Sequence, residues 1–175
     1  MTYSRQPYPK RDRESSGFDS KRSDDRGQSK DRWQREDKTY EQYEAFMQRG
    51  YFEGKKIFPE LIKEWPKWLA ENFLRARLTS TQLRRFFNKM RVIQQRIDAT
   101  NDFERYKEDI LGLTPLAAAA VGKETAPKIF YDVMRMNVDN AVNSQPAFER
   151  GFIIHFQSII AYMKYYERFP WSMGK

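Results

Sequence analysis

The chain offers few side chains that could perform acid–base or covalent chemistry. It has 175 residues, with no cysteine and a single histidine, His155. Disulfides, thiolate metal sites and a cysteine nucleophile need cysteine, and a common zinc site without cysteine needs more than one histidine. A histidine-based catalytic triad would have to be built on His155. His155 lies beside the apolar stripe of the last predicted helix, so we expect a structural histidine at the edge of a helical bundle and not a general base.

Paired carboxylates are present, but their spacing does not suit catalysis or metal binding. Asp24/Asp25, Glu36/Asp37 and Glu108/Asp109 are adjacent in sequence. Neighbours on a helix diverge by about 100°, so the two carboxylates of a pair cannot jointly hold Mg²⁺. The phosphate-binding motifs GxGxxG and GxxxxGK[ST] do not occur in the sequence. We therefore predict a protein that is not an enzyme and that uses no metal and no cofactor.

The one positive signal is a basic helix face. The segment LTSTQLRRFFNKMRVIQQRI, residues 78–97, predicts an amphipathic helix with an apolar face and a basic face. The basic face carries Arg84, Arg85, Lys89, Arg91 and Arg96. These five cations spread along about three turns, so they could follow a sugar-phosphate backbone that crosses the helix. Four lysines would extend the basic face if the fold brings them close to this helix: Lys55, Lys56, Lys123 and Lys128. The face has no interleaved Tyr or Trp to stack bases, so the pattern alone leaves RNA binding and a solvated surface as alternatives.

After the first 38 residues, almost every predicted boundary between elements is marked by a residue that typically starts or ends a helix. No stretch alternates apolar and polar residues cleanly enough to predict a strand. Thr39 and Thr79 each begin a T-x-x-Q capping box, which predicts helices over residues 40 to about 49 and from 81 to 97. The first of these should stop at Gly50.

Prolines and glycines set the remaining predicted boundaries. Two short helices are expected to begin at Pro59 and Pro66, and a later one at Pro127. Gly112 and Gly122 are expected to end two others. The run LAAAAVGK around Gly122 is short, small and apolar, which is typical of a helix packed closely between neighbours.

The longest helix is predicted to begin at Pro146 and to run through the centre of the domain. Its apolar residues recur at helical spacing and form one stripe. The stripe consists of Phe148, Phe152, Phe156, Ile159, Ile160 and Met163. With short connections between the elements, the sequence predicts an all-α fold, a compact helical bundle of about five principal helices over residues 39–171.

Residues 1–38 are predicted to be a disordered, charged N-terminal tail. They contain 11 Lys/Arg and 8 Asp/Glu and hardly any aliphatic residue, so they cannot bury enough apolar surface to offset the entropy of ordering. The tail carries +3 of the total net charge of +8, which leaves a moderately basic domain suited to a polyanionic partner. No secretory signal and no membrane-spanning run is seen, so we expect a cytoplasmic protein.

Deleting this tail should leave the folded domain almost unchanged. Because the segment is expected to make no stabilising contacts, the helical circular dichroism should be retained and the thermal midpoint should stay within about 4 °C of the parent, roughly 1 kcal/mol in a domain of this size. Thermal melts of the two proteins in the same buffer test this. A larger drop in the midpoint would show that the tail docks on the domain.

Three segments together resemble one family. The capped helix LTSTQLRRFFNKMRVI, the stretch ILGLTPLAAAAVGKE followed by PKIFYDVM, and the closing FERGFIIHFQSIIAYMKYYE are similar in order and spacing to the small subunit of the type III-A CRISPR interference complex, the Csm complex. The resemblance covers about residues 78 to 167. Lys123 stands near the position of a basic residue that is usual in the family.

The resemblance implies a non-catalytic, all-helical subunit of a ribonucleoprotein effector of antiviral defence. Such a subunit stacks in several copies along the complex, beside the backbone subunit that holds the CRISPR RNA (crRNA) and the large polymerase-like subunit. It contacts the duplex of crRNA and target RNA, or the captured strand, through basic side chains. Two alternatives remain at this point: a helical adaptor that binds only protein, and the small subunit of the related type III-B complex.

Overall fold

The N-terminal part of the fold is a capped helix followed by a small hairpin. A computed structural model describes residues Lys38–Met173, so the predicted tail lies outside the described residues except for Lys38, whose Nζ is 3.6 Å from the Glu64 carboxylate. Helix α1 spans Tyr40–Met47, and the predicted capping box between Thr39 and Gln42 is confirmed. Gly50 follows with a φ of 75°, a left-handed conformation that favours glycine.

Strands β1 (Phe52–Glu53) and β2 (Lys56–Ile57) form an antiparallel hairpin that the sequence did not predict. Two residues per strand are too few for an alternating pattern to be visible. A 3-10 turn, Pro59–Leu61, leads into α2 (Glu64–Arg75). The prediction for Pro59 is confirmed. That for Pro66 is wrong, because α2 begins two residues earlier and Pro66 lies within its first turn, where the missing N–H costs no helical hydrogen bond.

Helix α3 (Ser80–Thr100) carries the basic residues and is fixed at both ends. Its capping box between Thr79 and Gln82 is present as predicted, and Asn101 ends the helix in a left-handed conformation with a φ of 52°. Leu83, Met90 and Ile97 are fully buried, which confirms the predicted apolar face. A 3-10 turn, Glu104–Tyr106, then connects α3 to α4 (Lys107–Leu111).

The two glycines predicted to end helices do so differently. Gly112 has a right-handed helical backbone, φ −60° and ψ −15°, and the chain passes directly into α5 (Leu113–Gly122). Gly122 is the last residue of α5, and the left-handed residue beyond the helix is Glu124, with a φ of 55°. The amides of Glu124 and Thr125 bond back to the carbonyls of Val121 and Ala120, which is a Schellman ending without glycine.

The expectation of close packing on all sides of α5 is wrong. Leu113 and Ala117 are buried, whereas Leu116 is 39% exposed, and Ala118 and Ala119 also face outward. The helix packs chiefly on α6 (Lys128–Ala141), which follows Pro127 as predicted. Small residues allow a close approach to a neighbour, but they do not by themselves specify how many neighbours there are.

A π-helical segment, Ala147–Phe152, opens the central helix and continues without a break into α7 (Ile153–Arg168). The predicted stripe is buried along its whole length, and α7 packs against both α2 and α3. Gly151 faces the ring of Tyr51 so closely that a Cβ there would overlap it. A last 3-10 turn, Pro170–Ser172, closes the described chain. The all-α prediction is confirmed.

Candidate nucleic-acid interface

Helix α3 is anchored to its neighbours by polar contacts at its first turn and by its apolar face. The carboxylate of Glu167 on α7 accepts hydrogen bonds from the Ser80 amide (2.8 Å) and the Ser80 hydroxyl (2.7 Å). These contacts satisfy an unpaired amide of the first turn and place a negative charge at the positive end of the helix. Phe86 packs edge-on against Phe130 of α6, with ring centroids 4.8 Å apart. The outward face of α3 is therefore held in a fixed orientation.

The predicted basic residues of α3 are all exposed, but they form two edges and not one continuous face. Side chains seven residues apart on a helix point within about 20° of each other, so Arg84 and Arg91 share the edge beside α7. Arg85 and Lys89 are four residues apart and share the opposite edge with Arg96, beside α4 and α5. Uncharged side chains separate the two edges. They are Asn88, Val92 and Gln95.

The cations differ in how far local partners neutralise them. Arg96 lies 3.5 Å from Asp109, and Lys128 lies 2.9 Å from Asp132 on its own helix. Among residues 38–173, the four other predicted cations of α3 have no carboxylate within ion-pair distance, and Arg91 donates to the uncharged side chain of Gln94. These four, Arg84, Arg85, Lys89 and Arg91, are the most available to an external polyanion, although exposed ion pairs such as the other two are weak enough to be exchanged.

The loop that carries Lys123 and Lys128 lies at the start of α3. The side-chain amide of Gln82 donates a hydrogen bond of 3.0 Å to the carbonyl of Thr125 in this loop. Lys123 is exposed just beyond the end of α5, and the Lys128 side chain is 82% exposed. The fold thus brings the two lysines to the end of α3 from which the Arg85 edge begins.

A groove of about 490 Å³ separates α3 from α7. Positively charged and amide side chains form its rim, and apolar side chains form its floor. The lining residues are Arg84, Phe87, Asn88, Gln157, Ile160, Ala161 and Lys164. None of them is acidic, so the groove suits a phosphate group. The sequence pattern did not predict Lys164, because nothing in it places this residue of α7 beside α3.

A second groove, of about 600 Å³, lies between α3 and the α4–α5 pair. Its floor contains Ile93, Leu113 and the exposed side chains of Val92 and Leu116. Both signs of charge line its rim, from Lys89 and Arg96 and from Glu108 and Asp109. An apolar floor with a mixed rim is better suited to a protein segment than to a polyanion.

His155 is completely buried, so its expected position at the edge of the bundle is wrong. Its Nδ1–H donates to the carbonyl of Leu61 (2.6 Å), which leaves Nε2 to accept from the Tyr43 hydroxyl (2.9 Å). The Asn137 amide donates to the same hydroxyl (2.9 Å). Burial lowers the pKa of His155 to about 4, and burial also raises the pKa of Tyr43. The imidazole is a neutral member of a buried network.

No group of three His, Asp or Glu side chains between Lys38 and Met173 is arranged to hold a metal ion. Over the same residues, no helix is long and apolar enough to cross a membrane.

The fold and its outward charges define a small, basic, all-α protein. Residues 58–168, more than half of the 175-residue chain, match the family model described as Csm2 Type III-A. The chain belongs to this family and is thus a small subunit of the type III-A Csm complex of CRISPR systems. The predicted resemblance is confirmed, and type III-A is favoured over the type III-B alternative. Neither the curated proteins nor the solved structures gave a match.

Proposed function

We propose that the chain is a non-catalytic RNA-contacting subunit that holds the duplex of crRNA and target RNA, or the captured strand, through the two basic edges of α3. The observation that carries the proposal is a set of four exposed cations of α3 without a carboxylate partner in the described chain, on a helix whose orientation the core fixes. They are Arg84, Arg85, Lys89 and Arg91. Base pairing with the guide reads the sequence, so the protein need supply only contacts to phosphates.

Within the complex, several copies would stack beside the backbone subunit and the large polymerase-like subunit. The groove between α3 and the α4–α5 pair supports a protein contact, because it combines exposed Val92 and Leu116 with a rim of both charges. The same groove is the observation that favours the second candidate, a helical adaptor that binds protein alone. The two candidates differ in whether the chain contributes a salt-sensitive affinity for RNA.

Replacing Arg84, Arg85, Lys89 and Arg91 by alanine tests the RNA contact. Folding should survive, because all four side chains are exposed and surface substitutions usually cost little. If each cation neutralises one phosphate of single-stranded RNA, the slope of log affinity against log salt should become shallower by up to about 2.8, four times roughly 0.7. The loss should be similar for unrelated RNA sequences, because phosphate contacts carry no sequence information.

The measurement is a binding titration over a salt series, with the free protein and with the assembled complex and its guide. A matched control removes four exposed cations outside the predicted patch, Lys63, Arg75, Arg105 and Arg135, and should leave the slope nearly unchanged. Equal losses in the two variants would mean that net charge and not α3 sets the affinity. An unchanged slope in the α3 variant would move the contact to Lys123, Lys128 or the tail. Absence of RNA binding by the parent in both settings would favour the protein-only adaptor.

A further inference from the structure

Exposed aromatic rings lie at the C-terminal end of the described chain, beginning one helical turn after Ala161, which lines the groove between α3 and α7. The ring centroids of Tyr165 and Phe169 are 5.2 Å apart, and those of Phe169 and Trp171 are 5.5 Å apart. Tyr165 is 49% exposed and Trp171 is 68% exposed. We call these three residues the aromatic ladder. Large aromatic side chains with so much open surface are unusual in a folded domain and point to a ligand.

The backbone holds the ladder in place. The Phe169 amide donates to the carbonyl of Tyr165 (2.9 Å), which continues the last turn of α7. The amide of Ser172 (3.0 Å) and its hydroxyl (2.6 Å) both donate to the carbonyl of Phe169. This closes the turn that carries Trp171. The rings are therefore positioned without being covered, which lowers the entropic cost of stacking a ligand on them.

Cations flank the ladder on the same exposed side of α7. Lys164 lines the groove together with Arg84, and Arg168 follows one turn later, with its guanidinium carbon 5.7 Å from the centre of the Phe169 ring. The carboxylate between them in sequence, Glu167, is engaged by the Ser80 amide and hydroxyl. Because these hydrogen bonds partly offset its negative charge, Glu167 repels a bound phosphate less than a free carboxylate would.

We propose that the aromatic ladder is a base-stacking platform for single-stranded RNA, with bases on the open faces of Tyr165 and Trp171 and the adjoining phosphates on Arg84, Lys164 and Arg168. This deepens the proposed function and rests on it. Aromatic faces beside cations are how proteins bind unpaired nucleic acid without reading its sequence. Phe169 and Trp171 lie just beyond residues 58–168, which match the family model.

RNA is favoured over a protein partner by the kind of surface that is exposed. The ladder presents aromatic faces and cations, whereas the exposed aliphatic side chains Val92 and Leu116 line the other groove, together with both signs of charge. A base uses the flat face of a ring, and its phosphate uses the neighbouring cation. A protein segment would gain more from the aliphatic groove.

The test compares two probes of equal length, a 12-nucleotide oligouridylate and an abasic ribose-phosphate oligomer, on the full chain. Trp171→Ala should weaken binding of the oligouridylate at least about fivefold and leave binding of the abasic oligomer unchanged, because only the former has bases to stack. Trp171→Phe should retain most of the affinity, and Tyr165→Ala should behave like Trp171→Ala. Leu111→Ala, an exposed aliphatic control that lines neither groove, should change neither affinity. Thermal midpoints monitor folding.

The outcomes separate the platform from the function on which it rests. Equal loss on both probes, or no loss with Trp171→Ala, would overturn the platform. If the α3 quadruple variant still weakened both probes in that case, the RNA contact of α3 would stand alone. Binding of neither probe by the parent would overturn both proposals. Unchanged RNA affinity with poor incorporation of Trp171→Ala into the complex would identify the ladder as a protein interface and reject it as an RNA platform.

Discussion

Phe156→Ala is expected to lower the free energy of unfolding of the domain by about 3 to 5 kcal/mol. Phe156 lies in the middle of the buried stripe of α7, is 1% exposed, and packs edge-on against Phe152 with ring centroids 5.9 Å apart. Truncation removes the transfer free energy of the ring and leaves a cavity that neighbours from several helices fill only in part. The loss is a large fraction of the total stability of a typical domain.

Denaturant unfolding followed by circular dichroism measures this effect. Val92→Ala is the matched control, since Val92 is a helical apolar residue that is 47% exposed, and its replacement should change the stability by no more than about 0.5 kcal/mol. If Phe156→Ala unfolds at the same denaturant concentration as the parent, the stripe of α7 does not form the core.

Acidification from pH 7 to pH 4 is expected to cost about 3 kcal/mol through His155 alone. In the folded protein, burial holds the pKa of this imidazole at about 4, whereas its ordinary value is 6.5. Between these two values the unfolded chain binds more protons than the folded one, so stability rises with pH in this range. The contribution of His155 is therefore complete above about pH 6.5 and is lost as the pH falls towards 4.

Comparison with His155→Gln isolates this contribution, because carboxylates titrate in both proteins and their effects cancel in the difference. The variant is expected to be less stable at pH 7, where it loses a member of the buried network, and to lose less stability between pH 6.5 and pH 4. Urea unfolding at several pH values in this interval gives both curves. Parallel curves would contradict the assignment of a neutral, buried imidazole.

Local signals in the sequence were sufficient for most of the fold. The capping boxes at Thr39 and Thr79 and the stripe of α7 depend on residues three to four positions apart, and these are the distances that helix geometry fixes. Gly112 caps α4 as predicted. Gly122 lies one residue before the cap of α5 and Pro66 lies inside α2, because each of these two residues is compatible with more than one position at a helix end and tertiary packing decides among them. The π-helical segment leaves the periodicity of its apolar residues intact and so gave no signal.

The candidate interface was predictable only in part for a similar reason. The helical period was enough to predict that Arg84 and Lys89 face solvent. It could not predict that Asp109 neutralises Arg96, because this contact joins two different helices. Lys164 reaches the groove beside α3 from α7, at a distance in sequence of about 80 residues from Arg84. The aromatic ladder lies on and just beyond α7, outside the helix face on which the absence of Tyr and Trp was noted.

The contact between Gly151 and Tyr51 also constrains the order in which this sequence can change over evolutionary time. The Tyr51 hydroxyl donates to both the carbonyl and the side-chain oxygen of Asn137, each at 2.9 Å, so the ring cannot easily swing away from position 151. Any side chain at 151 would overlap that ring. Position 151 can therefore accept a larger residue only in a lineage that has already replaced Tyr51, whereas Tyr51 can be replaced first. The two positions should therefore covary, with the replacement of Tyr51 preceding any replacement of Gly151.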